Sequence, residues 1–143
     1  MEMVTEKRAL RVDGIELQLV FNSDKLVAIE LPKKVPADLG VSTFKKIVRE
    51  ISRYKTSLDD ATPFVREVWE AMRKIPAGKT MTYSELAAAV GRPDAVRAVG
   101  SAVGKNQLLI LLPCHRVVGK NNLGGFRAGL DWKRKLLELE SAL

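Results

Sequence analysis

The chain contains one cysteine and one histidine, and they are adjacent: Cys114 and His115 lie in the stretch LLILLPCHRVVGK, between an apolar run and a basic loop. A thiol attacks as its thiolate, and a neighbouring imidazole is a common means of lowering its pKa or taking its proton. Successive residues of an extended strand face opposite ways, so the pair cooperates only through a turn, which Pro113 helps to set, or through a bridging water. A third titratable group belongs with them. From Asp131 a last helical segment puts Trp132, Leu136, Leu139 and Leu143 on one stripe, and Glu140 falls about 40° from Leu136, at the flank of that stripe. A carboxylate at the edge of a buried face needs a partner. One thiol and one imidazole are too few for a four-ligand structural zinc site, and one cysteine makes no intrachain disulfide.

The elements that must position these groups are legible in the patterning. RALRVDGIELQLVFNSDKLVAIEL alternates apolar and polar residues, with Ile15, Leu17, Leu19 and Phe21 on one face and turn residues at Asp13-Gly14 and Asn22-Ser23-Asp24. This predicts a small antiparallel meander. Phe44, Ile47, Val48, Ile51 and Tyr54 recur at helical spacing. After a linker at 58–62, Thr62-Pro63 supplies an N-cap and a first-turn proline to a helix that buries Val65, Val68, Trp69 and Met72. TYSELAAAVGRPDAVRAVGSAVGKN then predicts two short helices. Thr82 and Glu85 form a capping box for the first, Gly91 ends it, and Pro93 stands in the first turn of the second. That pattern is a helix-turn-helix, and its many small residues allow close helix approach. LLILL, a short continuous apolar run, is predicted as a strand buried on both sides, delivering Cys114 and His115 to its end.

At 143 residues the chain buries a core of its own. The expected class is α+β: an N-terminal lobe (1–57) of antiparallel sheet with a helix, and a mostly helical, winged-helix-like domain (63–143). No apolar run reaches membrane-span length, and MEMVTEKRAL lacks the pattern of an export signal, so a cytoplasmic protein without a membrane partner is expected. The net charge of +7 is uneven: residues 1–62 carry eleven Lys/Arg against ten Asp/Glu, whereas residues 63–143 carry thirteen against seven. A basic C-terminal surface suits a polyanion, nucleic acid above all, although a solvated basic face is as common.

PCHRVV, with TYSELAAAVGRPDAVRAVG before it and GGFRAGLDWKRKLLELE after it, resembles the O6-alkylguanine-DNA alkyltransferases from about Thr62 to the C-terminus, in that family's motif order. The N-terminal lobe resembles the family in outline only, and lacks the Cys and His ligands with which some members hold zinc there. The resemblance implies repair of duplex DNA: Cys114 takes the alkyl group from O6 of a flipped guanine, and by extension from O4-alkylthymine, and keeps it, so each molecule acts once and needs no cofactor. It implies that His115 accepts the thiol proton through a water, that Glu140 orients the imidazole, and that Tyr83 donates toward N3 of the leaving base. Asn106 would tie the helix-turn-helix to the active-site turn. Arg97 would occupy the space of the extruded base from a helix in the minor groove, with Ser84, Arg92 and Lys120 on the backbone. Phe126, Val117 and Arg127 would line the base pocket. Phe126 stands where many members have Tyr, and Leu109 where some have Pro. A monomer is expected. The competing readings are an alkyltransferase-like sensor that binds the lesion without accepting the group, a DNA-binding regulator with a redox-sensitive thiol, and a cysteine hydrolase.

Overall fold

The computed structural model describes residues 5–58 and 61–143. Strands β1 (Thr5–Val12), β2 (Ile15–Asn22) and β3 (Lys25–Glu30) form an antiparallel sheet in that order. Val12 pairs with Ile15 across Asp13 and Gly14, whose φ angles of 51° and 84° make the two-residue turn that matches strand twist. Ile15, Leu17, Leu19 and Phe21 point inward, and α1 (Val41–Ile51) adds Phe44, Ile47 and Ile51 to the same core.

The second lobe is helical. α2 (Pro63–Arg73) starts where the Thr62 hydroxyl accepts the Val65 N–H, and it buries Val65, Val68 and Met72. A two-residue strand, β4 (Met81–Thr82), runs into α3 (Tyr83–Ala89), whose capping box joins Thr82 and Glu85 in both directions. α4 (Val96–Gly104) begins later than the sequence pattern predicts. Pro93 lies before it, in a turn closed by the Ala95 N–H on the Arg92 carbonyl, where its fixed φ suits the second turn position better than a helix start. A 3-10 turn (Cys114–Arg116) leads into β5 (Val117–Val118), which pairs in parallel with β4, and α5 (Leu130–Ser141) closes the chain. The linker expected at 58–62 falls partly on residues 59 and 60, outside the described residues.

LLILL is a buried turn rather than a strand. Leu108, Leu109, Ile110 and Leu112 are buried, the Leu112 N–H returns to the Leu108 carbonyl at 2.9 Å, and Ile110 has φ 75°. A run of apolar residues reports burial, not conformation; what decides the conformation is where the backbone polar groups find partners. Here Asn106 supplies them. Its Oδ1 accepts the Leu108 N–H and its Nδ2 donates to the Leu112 carbonyl, each at 2.9 Å. The lobes share one apolar core and are tied by backbone as well. The Ile29 N–H of β3 donates to the Gln107 carbonyl at 3.0 Å, and the Trp132 indole N–H of α5 donates to the Pro32 carbonyl at 2.7 Å.

Candidate active site

Cys114 opens the 3-10 turn and is buried, with its Sγ accepting from Asn106 Nδ2 at 3.2 Å. One amide therefore shapes the preceding turn and holds the thiol. Burial pushes the Cys114 thiol up; the Asn106 hydrogen bond and the charges of Lys133 and Arg127 offset this in part. At neutral pH Cys114 is thus a neutral thiol, which would have to lose its proton before it could act as a nucleophile.

His115 is fully buried, and its Nε2 lies 2.9 Å from Glu140 Oε1 on α5. The contact is close in distance but off the ideal hydrogen-bond direction, and Nδ1 has no protein partner among the described residues. The carboxylate is held chiefly by Arg116, whose Nε and Nη2 take Oε1 and Oε2 at 2.9 and 2.5 Å while Nη1 donates to the Ile75 carbonyl at 2.7 Å. Burial alone would raise the Glu140 carboxyl, but the hydrogen bonds and charge of Arg116, with the close His115 imidazole, outweigh it and hold the group at about 2. Glu140 is therefore a fixed anion behind the imidazole at any working pH.

The thiol faces a cavity of about 560 Å³ walled by Tyr83, Gly100, Asn106, Phe126 and Arg127, a size suited to a small organic group. Tyr83 stands between two glycines. A Cβ at Gly124 would come within 2.6 Å of its hydroxyl, and one at Gly100 within 3.7 Å of its ring. The hydroxyl accepts the Gly125 N–H at 3.4 Å, which leaves its own proton free to point into the cavity. Phe126 meets His115 edge to face, ring centroids 6.4 Å apart. Arg127 donates to the Asn106 and Gly104 carbonyls at 3.2 and 3.0 Å, closing the end of α4.

Of the residues singled out in the sequence, Cys114, Asn106, Tyr83, Phe126 and Arg127 meet at this cavity, with His115 and Glu140 behind it. Val117 does not line it; the side chain is buried and the carbonyl accepts from Lys133 Nζ at 2.6 Å. Ser84, Arg92, Arg97 and Lys120 are exposed. Arg97 follows the cavity-lining Val96 on α4 and has no partner among the described residues, whereas Arg92 lies 5.5 Å over the Phe64 ring and 3.9 Å from Glu67. Two contributors escaped the sequence reading: Arg116, and Lys133, which is wholly buried on α5. The signal that found Glu140, a charge flanking the stripe of the last helix, applies equally to Lys133. Among the described residues no three His, Cys, Asp or Glu side chains gather as metal ligands, and no helix is long and apolar enough to cross a membrane.

The family model described as 6-O-methylguanine DNA methyltransferase, DNA binding domain, matches residues 63–142, more than half of the chain. A probable methylated-DNA–protein-cysteine methyltransferase of Acanthamoeba polyphaga mimivirus is 46% identical over 115 residues, covering 78% of this chain and 77% of the relative. A methylated-DNA–protein-cysteine methyltransferase of Metallosphaera sedula is 38% identical over 138 residues, covering 89% and 87%. Among solved structures, Mycobacterium tuberculosis OGT in complex with DNA superposes with a TM-score of 0.74 at 31% identity, over 95% of this chain and 92% of the other. With its lone cysteine at the floor of the cavity, the chain belongs to the methylated-DNA–protein-cysteine methyltransferase family.

Proposed function

We propose that this protein reverses O6-alkylguanine, and by the same chemistry O4-alkylthymine, in double-stranded DNA by moving the alkyl group once and irreversibly to Cys114. The observation that carries the reading is the thiol at the base of a cavity, with an imidazole and a fixed carboxylate buried behind it and a phenol at its wall. The S–C bond forms as the C–O6 bond breaks. His115, through a water, takes the thiol proton and Glu140 stabilises the resulting imidazolium. Tyr83 donates toward N3, so the base leaves without a full negative charge. The thioether formed cannot be hydrolysed at this site, so the molecule acts once.

A base in a duplex reaches such a cavity only by leaving the stack, at a cost of a few kcal/mol. Arg97, exposed on α4 next to the cavity-lining Val96 and without a partner among the described residues, would fill the gap from the minor groove, with Ser84, Arg92 and Lys120 on the phosphates. The basic C-terminal part gives contact independent of sequence, as a protein that inspects any site requires. One chain supplies every group, so the reading is of a monomer, acting in the cytoplasm.

The test is the intact mass of the protein after mixing with a duplex carrying O6-methylguanine. One methyl increment is expected, saturating at one per protein and absent from Cys114→Ala. Repeated turnover would make it a hydrolase, and no adduct on wild type would make it a sensor or regulator.

A further inference from the structure

Arg97, Ser84, Arg92 and Lys120 all belong to the C-terminal lobe, but a second basic feature is built by both lobes together. Lys33 and Lys34, in the loop between β3 and α1, share a groove of about 690 Å³ with Arg134 and Lys135 of α5. Lys33, Lys34 and Arg134 are exposed and Lys135 is half-buried. The loop is fixed against the helix: the Trp132 indole N–H donates to the carbonyl of Pro32 at 2.7 Å, which pins the residue before Lys33 to the turn that carries Arg134. Asp131 and Glu138 also line the groove, and Asp131 pairs with Arg134 at 3.4 Å; Lys33, Lys34 and Lys135 have no ion-pair partner among the described residues. α5 starts in the same groove without a side-chain cap, which adds the positive end of its dipole. Cations held together in this way repel one another, and a polyanion offsets that repulsion.

The groove does not end at α5. Leu130 and Arg134 also border Asn122, Leu123 and Gly124, in the loop after β5, and a Cβ at Gly124 would meet the Tyr83 hydroxyl. A continuous track therefore leads from the wall of the thiol cavity, along the loop that carries Lys120, to the N-terminal lobe. We propose that this groove is a second contact for the DNA backbone: Lys33, Lys34, Arg134 and Lys135 take phosphates of the duplex flanking the flipped base, beyond the footprint of the helix-turn-helix. The inference rests on the reading of this chain as an alkyltransferase that acts on DNA. Duplex DNA fits the groove better than an acidic protein segment does, because the track begins at the cavity that must receive the base. Lys33 and Lys34 lie outside the matched residues 63–142, so the N-terminal lobe takes a direct part in binding. Contacts to phosphates carry no sequence information, which suits a protein that inspects every site.

The experiment measures binding of the whole protein to an undamaged duplex of two helical turns, about 20 base pairs, by fluorescence anisotropy across a salt series. Each phosphate contact contributes about 0.9 to the slope of log K against log salt. The double variant Lys33→Ala, Lys34→Ala should therefore lower the slope by about two and weaken binding on the order of tenfold at about 0.15 M salt. Lys25→Ala removes a charge at the start of β3, outside the groove and also without an ion-pair partner among the described residues, and should leave the slope as it is. A double variant that keeps the wild-type slope, or a Lys25 variant that loses as much per charge, overturns the proposal. So does a double variant that keeps the slope but loses cooperativity between bound copies, which would assign the groove to a second copy of this chain. Absence of any binding by the wild type overturns the DNA reading itself, so the two failures are distinguishable.

Discussion

The two lobes use charge in opposite ways. In the N-terminal sheet the pairs Lys7–Glu30 and Arg11–Glu16 lie on the surface, with Lys7, Glu30 and Arg11 exposed and Glu16 partly so. In the C-terminal lobe Arg116, Glu140, His115 and Lys133 are taken into the interior, Glu140 and Lys133 almost or wholly without solvent. Exposed pairs of this kind contribute ~0–1 kcal/mol and can be lost without consequence. A buried set is stabilising only while complete, because removing one member strands the others. The fold thus concentrates its electrostatic risk in the lobe that carries Cys114.

The comparison breaks most visibly at Arg116. Arg116→Ala leaves the Glu140 carboxylate without its main donor and is expected to destabilise the protein by about 3–5 kcal/mol in chemical denaturation. It should also shift the acid arm. Glu140 is depressed in the folded state, so its contribution is present above the unfolded value of 4.5 and is lost as pH falls from there toward about 2. That loss should shrink in the variant; an unchanged acid arm would show that Glu140 is held by something else. Next comes Arg97→Ala, on the outside of the same lobe. Repair of a duplex should fall roughly 100-fold, the worth of a few kcal/mol of unstacking, with little change for a free O6-alkylguanine base and no change in stability. Equal loss on both substrates would remove Arg97 from base extrusion. The smallest effect belongs to the sheet: Lys7→Ala should move stability by less than about 0.5 kcal/mol and leave alkyl transfer untouched, and a larger shift would erase the contrast between the lobes.

Much of this was legible in the chain. Capping boxes and turn residues are local chemistry, which is why Thr82, Glu85, Asp13 and Gly14 mark their elements correctly. Glu140 could be found because a charge at the flank of an apolar stripe is an anomaly. Lys133 sits in the same anomalous position, yet a long basic side chain ordinarily reaches water from such a flank, and only the two carbonyls waiting for it reverse that expectation. Arg116 was hidden for another reason: its partners, Ile75 and Glu140, are distant in sequence. The run at 108–112 misled because its hydrogen bonds come from the side chain of Asn106, and a side chain that substitutes for a strand ladder leaves no periodic trace.

The Ile29–Gln107 hydrogen bond has a practical consequence. The amide of Ile29 belongs to the sheet, but its acceptor is the first carbonyl after Asn106, at the root of the turn that holds the thiol. Its protection against deuterium exchange therefore reads the state of the nucleophile's support from the opposite lobe. One resonance, far from any reacting atom, can follow whether filling the site with an alkyl group loosens the place where the two lobes are joined.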